Sequence, residues 1–225
     1  MKKLTLITIL SLLIFNFIFG QDQERCAKLT EVIEIVELNK EKAKANLDTT
    51  LAALLDTVLQ NDQKYRQDLR WIEEKYGRES EEIKAQWKII SRQDSINLII
   101  VKKILDERGW LGADVIGAKG TQALFLVIQH SNLEIQDKYL PMMREAVSKG
   151  SACASTLAFL EDRVALGKNE KQIYGSQIGR NPETGEYYVL PLIDPDNVNK
   201  RRAEVGLDSI QNYISNWGLT WDVEE

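Results

Sequence analysis

Apolar residues recur at helical spacing along most of this chain. From Glu31 to Leu59 they fall at Val32, Ile35 and Val36, then at Leu47, Leu51, Leu54, Leu55, Val58 and Leu59. The intervening "LNKEKAKANLDTT" is polar and reads as exposed or broken. "NDQKYRQDLRWIEEKYG" resumes the period, and Gly77 ends it. Asp62 and Arg66 are four apart, as are Arg70 and Glu74, so each pair shares a helix face. Glu79 to Arg108 predicts a long helix with Ile83, Trp87, Ile90, Leu98, Val101, Ile104 and Leu105 inside, stopped by Gly109. Gln122 to Gln129 reads as a short buried helix with Thr121 as its N-cap. Ser131 and Glu134 form a capping box that opens the next helix, which Pro141 is expected to kink and Gly150 to end. Ala154 to Leu166 gives one more helix.

The period changes after Gly167. "QIYGSQIGRNPETGEYYVLPLI" reads as two strands joined by the turn Asn181 to Gly185. A helix restarts near Asp196, and a last one is expected to be capped by Asp208. The fold class is therefore mainly α, with packed helical hairpins and one β-hairpin near the C-terminal end.

The N-terminus has a different composition. Lys2 and Lys3 precede an apolar run from Leu4 to Phe19, and small Gly20 precedes polar Gln21. This is the pattern of a secretory signal peptide over residues 1–20, too short for a comfortable membrane span. A lipoprotein signal would place its cysteine at the cleavage point, whereas Gln21 to Arg25 intervene before Cys26. The expected organisation is then a helical extension over 21–48 and a single mainly helical domain over 49–225, exported to the periplasm or beyond the cell. Loss of Lys2 and Lys3 takes the formal charge from -5 to -7, which does not suit a nucleic-acid partner. After signal removal no stable membrane span is expected. Cys26 and Cys153 allow one disulfide in an oxidising compartment; the alternative is that Cys153 packs as a buried thiol.

Candidate chemistry is sparse. "GWLGADVIGAKGT" is glycine-rich, but Gly117-Ala118-Lys119-Gly120-Thr121 breaks the order a phosphate loop needs. One histidine, His130, and two distant cysteines leave too few ligands for a zinc site, and no calcium loop occurs, so neither metal nor cofactor is expected. Ser176 in "YGSQIG" lacks nucleophile-elbow spacing. The informative set is Gln129, His130, Gln136, Arg163, Gln172, Tyr174 and Gln177. Such groups are costly to bury alone. Either they satisfy one another as a structural network, or they line a pocket for a small polar ligand such as a sugar or peptide. His130, the candidate catalytic residue, serves as a helix-corner residue or as an acid/base. Arg66, Arg201 and Arg202 either clamp an anion or lie on solvated helix faces. Trp110, Trp217 and Trp221 either stack on a sugar or pack in the core.

The run "QALFLVIQHSN…Q…YLP", then "FLEDRV", "KQIYGSQ" and "PLIDPDNVNKRRAEVGL", resembles a family of uncharacterised, often exported bacterial proteins known only as a domain of unknown function. The resemblance covers roughly residues 50–215. It implies a shared helical domain and a shared site, and no activity. Three readings stand open: an exported binding or interaction module whose ligand site is Gln129, His130, Arg163, Gln172, Tyr174 and Gln177; a hydrolase-type enzyme with His130 as acid/base; and a structural partner protein that assembles through its N-terminal helices.

Overall fold

The computed structural model describes residues 46–221. The expected signal peptide, nearly all of the helical extension and Cys26 lie outside the described residues. Helix α1 (Thr49–Lys64) starts at Asp48, whose carboxylate accepts from the Leu51 N–H at 3.0 Å. Its inward stripe is Leu55, Val58 and Asp62. Short α2 (Leu69–Tyr76) ends at Gly77, where φ is 92°. Helix α3 (Glu81–Arg108) is 28 residues long, roughly 42 Å at the helical rise. Ser80 caps it and Gly109 stops it with φ 72°. Its buried positions are Ile83, Gln86, Ile90, Asn97, Val101, Ile104 and Leu105, which turns Trp87 outward at 51 % exposure. The expectation of a buried Trp87 was wrong because Gln86 takes the inward position, where it donates to the Tyr65 carbonyl at 2.7 Å.

Helix α4 (Ala113–Gln129) starts earlier than its sequence predicts, at Gly112, and breaks at Gly117 (φ 71°, ψ 167°). Thr121 is not its cap; about two turns inside, its hydroxyl donates to the Ala118 carbonyl at 2.8 Å. Helix α5 (Leu133–Ser148) is capped by Asn132, which accepts from Ile135 N–H at 3.0 Å, and not by Ser131. The Ser131 hydroxyl instead donates back to Ile128 at 2.6 Å. Pro141 does not end α5. Helix α6 (Ala154–Gly167) follows Cys153, which is exposed and so is not the buried thiol of the second reading.

Helix α1 lies along α4, α5 packs on α6, and α3 contacts both α1 and α4. The main core of Leu55, Val58, Val101, Leu124, Ile128, Tyr139, Met143 and Leu160 sits between them, with Trp110 buried at its edge. The C-terminal part has its own smaller core. Strand β1 (Ile178–Arg180) pairs antiparallel with β2 (Tyr187–Val189), Gly179 opposite Tyr188. The turn is held by Asn181, whose side-chain oxygen accepts from Glu183 and Thr184. A 3₁₀ turn (Pro195–Asn197) leads to α7 (Val198–Glu204), then α8 (Ile210–Ile214). Ser209 caps α8 in place of the expected Asp208. Val198, Ile210 and Ile214 pack with Ile178, Val189 and Leu192. The mainly helical class with one hairpin holds. No helix among the described residues is long and apolar enough to cross a membrane.

Candidate functional site

The polar residues meet where the end of α4 faces α1, α3 and α6. Asp62 continues the apolar stripe of α1 and is 1 % exposed. His130 follows the last residue of α4, and its Nδ1 lies 3.0 Å from Asp62 Oδ1. The other Asp62 oxygen accepts from the Gln63 amide at 2.7 Å. Arg66, one turn further on, donates to the Asp62 backbone carbonyl at 2.7 Å and to Asp94 Oδ2 on α3 at 2.8 Å. Burial pushes the Asp62 carboxyl up. The hydrogen bond and charge of His130, with Arg66 and Gln63, outweigh this and hold it below the usual carboxylate range.

With Nδ1–H turned to the carboxylate, the imidazole presents Nε2 as its free nitrogen. Nε2 has no protein partner among the described residues and is not among the buried unpartnered atoms, so it meets solvent; the side chain is 20 % exposed. Asp94 Oδ1 and Gln129 Oε1 are buried acceptors without donors among the described residues.

Arg163 on α6 forms the second station. Its Nη1 donates to the Gln129 carbonyl at 2.9 Å, and Nε and Nη2 both reach Gln177 Oε1, at 3.2 and 3.0 Å. Gln177 in turn donates to the Ser176 hydroxyl at 2.9 Å. Gln136 wraps the same corner, donating to the Gln129 and Ser131 carbonyls at 3.1 and 2.8 Å. Arg163 has no carboxylate partner among the described residues. Burial lowers its affinity for the proton and the nearby Arg66 charge lowers it further, against an opposing effect of Tyr213.

The segment 172–177 is not the strand its sequence suggests. Asp162, fully buried, accepts from the backbone N–H groups of Ile173 (2.6 Å), Tyr174 (2.9 Å) and Ser176 (2.9 Å). That grip takes donors a ladder would use and folds the chain into a loop, with Gly175 at φ 71°. Gln172 is fully buried and clamps the loop to the hairpin, donating to Gln177 and Leu190 carbonyls and accepting from Gln177 N–H. Tyr174 contributes its backbone here, N–H to Asp162 and carbonyl to Arg202. The expected ligand set therefore divides. Gln129, His130, Arg163 and Gln177 gather at the corner, while Gln172 and Tyr174 build the loop that carries Gln177.

The arginines behave differently from either expectation. Arg202 is 1 % exposed and bonds the Asp208 and Tyr174 carbonyls at 2.5 and 2.7 Å. Arg201 bonds the Ile173, Ile193 and Asp194 carbonyls at 2.9, 2.6 and 2.9 Å. Both fasten loops; Arg202 does so in the core and not on a solvated face, whereas Arg201, 20 % exposed, also keeps a local ion pair with Asp194 at 3.3 Å. Asp62, Asp94 and His130 also bring one possible metal-ligand atom each within 4.8 Å of one another. Arg66 stands between the two carboxylates and supplies there the positive charge that a cation would bring.

Sequence reasoning paired Asp62 with Arg66 but missed both aspartates as site residues. The signal was present: Asp62 occupies the inward stripe after Leu55 and Val58, and Asp94 lies one turn beyond buried Ile90. A carboxylate on a core-facing stripe needs a partner, and the chain has one histidine to give.

The polar corner is separate from the cavity of about 360 Å³ lined by Trp110, Phe125, Met143 and Cys153. It is equally separate from the open groove of about 540 Å³ beside Tyr187, Tyr188 and Trp221. No curated protein and no solved structure matches the chain. A family model described as "Family of unknown function (DUF6624)" matches residues 48–221, the whole of the helical domain and hairpin, and the chain belongs to that family.

Proposed function

We propose that the protein is an exported enzyme of hydrolase type, with His130 as general acid/base acting on a small polar substrate. The observation that carries the reading is the bond between His130 Nδ1 and the buried Asp62 carboxylate, with Nε2 left to solvent. A carboxylate on one ring nitrogen fixes the tautomer and stabilises the imidazolium that forms when the other nitrogen takes a proton. In a hydrolysis, Nε2 accepts a proton from water as the water oxygen bonds to the electrophilic carbon or phosphorus. The same proton then passes to the leaving oxygen as its bond breaks. His130 ends as it began.

Support for export is the basic start at Lys2 and Lys3 and the apolar run from Leu4 to Phe19. A mature chain beginning at Gln21 is the expected mass. A binding module is the second reading, and the gathering of Gln129, His130, Arg163 and Gln177 at one corner, with Gln129 Oε1 unpaired among the described residues, favours it. A panel of chromogenic esters and phosphoesters separates the two. Turnover by wild type that is lost in His130→Gln, with an unchanged melting curve, supports the enzyme. Wild-type turnover equal to that of His130→Gln refutes it.

A further inference from the structure

We infer that Arg163 recognises an oxyanion, a carboxylate or phosphate group, on the molecule that His130 acts on. This rests on the proposed reading of the site and names the chemistry of its substrate. A guanidinium carries five N–H donors. In Arg163, Nε, Nη1 and Nη2 each spend one, on the Gln129 carbonyl and on Gln177 Oε1. Two donors remain, one on each terminal nitrogen, and neighbouring terminal nitrogens of a guanidinium can together reach a carboxylate or phosphate edge.

The charge around Arg163 points the same way. Its protein partners are neutral oxygens, and no carboxylate pairs with it among the described residues. The Gln129 carbonyl at the end of α4 brings only about half a unit of negative charge from the helix dipole, which meets part of the guanidinium charge and leaves the rest. The other arginine of the corner, Arg66, is by contrast bonded to Asp94 and close to Asp62, so its charge is already met. Arg163 is thus a half-buried cation still short of a counter-charge, and the residue it holds, Gln129, precedes His130. An oxyanion here completes the charge and places the rest of the molecule beside the imidazole. Gln177 sets the plane of the fork, and Asp162 with Gln172 fixes the loop that carries Gln177.

The test uses the untagged protein, whose one histidine gives one assignable imidazole resonance. Sodium phosphate and sodium acetate are titrated in separate arms against sodium chloride at matched ionic strength. The His130 resonance and the melting temperature are both followed. The expected result is a saturable shift with phosphate or acetate and none with chloride, and the arm that saturates identifies the group. Arg163→Gln weakens that binding by about tenfold or more, because a charge-assisted pair is replaced by a neutral contact. Arg163→Lys keeps the charge without the fork and falls between. Absence of any saturable oxyanion effect in wild type overturns the inference, as does an unchanged midpoint in Arg163→Gln. Should Arg163→Gln lose its folded spectrum, an Arg163→Lys midpoint equal to wild type overturns it and a weakened one supports it. His130→Gln separates this from the enzyme reading. Oxyanion stabilisation in a wild-type protein that turns over none of the esters or phosphoesters, persisting in His130→Gln, supports the inference while refuting the enzyme. Turnover of neutral esters with no oxyanion effect does the reverse.

Discussion

Replacement of Asp162 by asparagine tests how the loop that carries Gln177 is held. The carboxylate is fully buried and accepts three backbone N–H groups, from Ile173, Tyr174 and Ser176. Asparagine keeps one oxygen, enough for Ile173 and Tyr174, which share Oδ1, but at neutral strength. Each of those bonds then loses about half of a charge-assisted contribution of about 1.5–3 kcal/mol. Its amide faces the Ser176 N–H, so two donors meet and one is orphaned, at about 1–3 kcal/mol. Arg202, 1 % exposed, also loses a nearby negative charge. The sum is about 2.5–6 kcal/mol. For a domain of this size that is a fall of roughly 10–15 °C in melting temperature. Urea unfolding followed by circular dichroism measures it, with an unchanged slope expected because the surface exposed on unfolding stays the same. A loss below about 1 kcal/mol would refute the argument that this carboxylate organises the loop.

Asp62→Asn is expected to cost about 1–3 kcal/mol, since it weakens the tie to His130 and leaves Arg66 with less counter-charge. The sign with pH follows from a folded carboxyl held below its ordinary value of 3.8: the wild-type advantage is full above that value and is lost as pH falls beneath it. Melting curves of both proteins therefore converge in acid, and divergence there would contradict the assignment. Gly175→Ala meets both a φ of 71° and the Ile210 Cδ1 atom 2.7 Å from the new Cβ, so a loss of at least about 1–2 kcal/mol is expected in the same urea assay. Cys153 is exposed, so in the reduced, folded protein it alkylates without denaturant; labelling only after unfolding would contradict its placement.

The long elements were legible because their period is long and their stops are chemical. Gly77 and Gly109 end α2 and α3 at positive φ, as their sequence positions imply. Caps were harder. Ser131 and Asn132 are adjacent, and either can cap; Asn132 does, because the Ser131 hydroxyl is taken by the Ile128 carbonyl. The segment around Tyr174 misled through its alternation, because the determinant of its loop is Asp162, distant in sequence and hidden within "FLEDRV". The site was half legible for the same reason. Gln129, His130, Arg163 and Gln177 stood out as polar groups on apolar elements. Asp62 and Asp94 did not, since 34 acidic residues mask the two that face inward.

The central claim is that His130 is held by Asp62 with a reactive nitrogen open to solvent. Diethyl pyrocarbonate, which acylates neutral imidazole, tests it directly because the chain has a single histidine to modify. The account predicts that folded wild-type protein is modified at His130, and that its melting curve survives the modification, because Nε2 and not Nδ1 takes the acyl group. Protein that stays unmodified until it is unfolded would show the imidazole to be sealed, and would contradict the account.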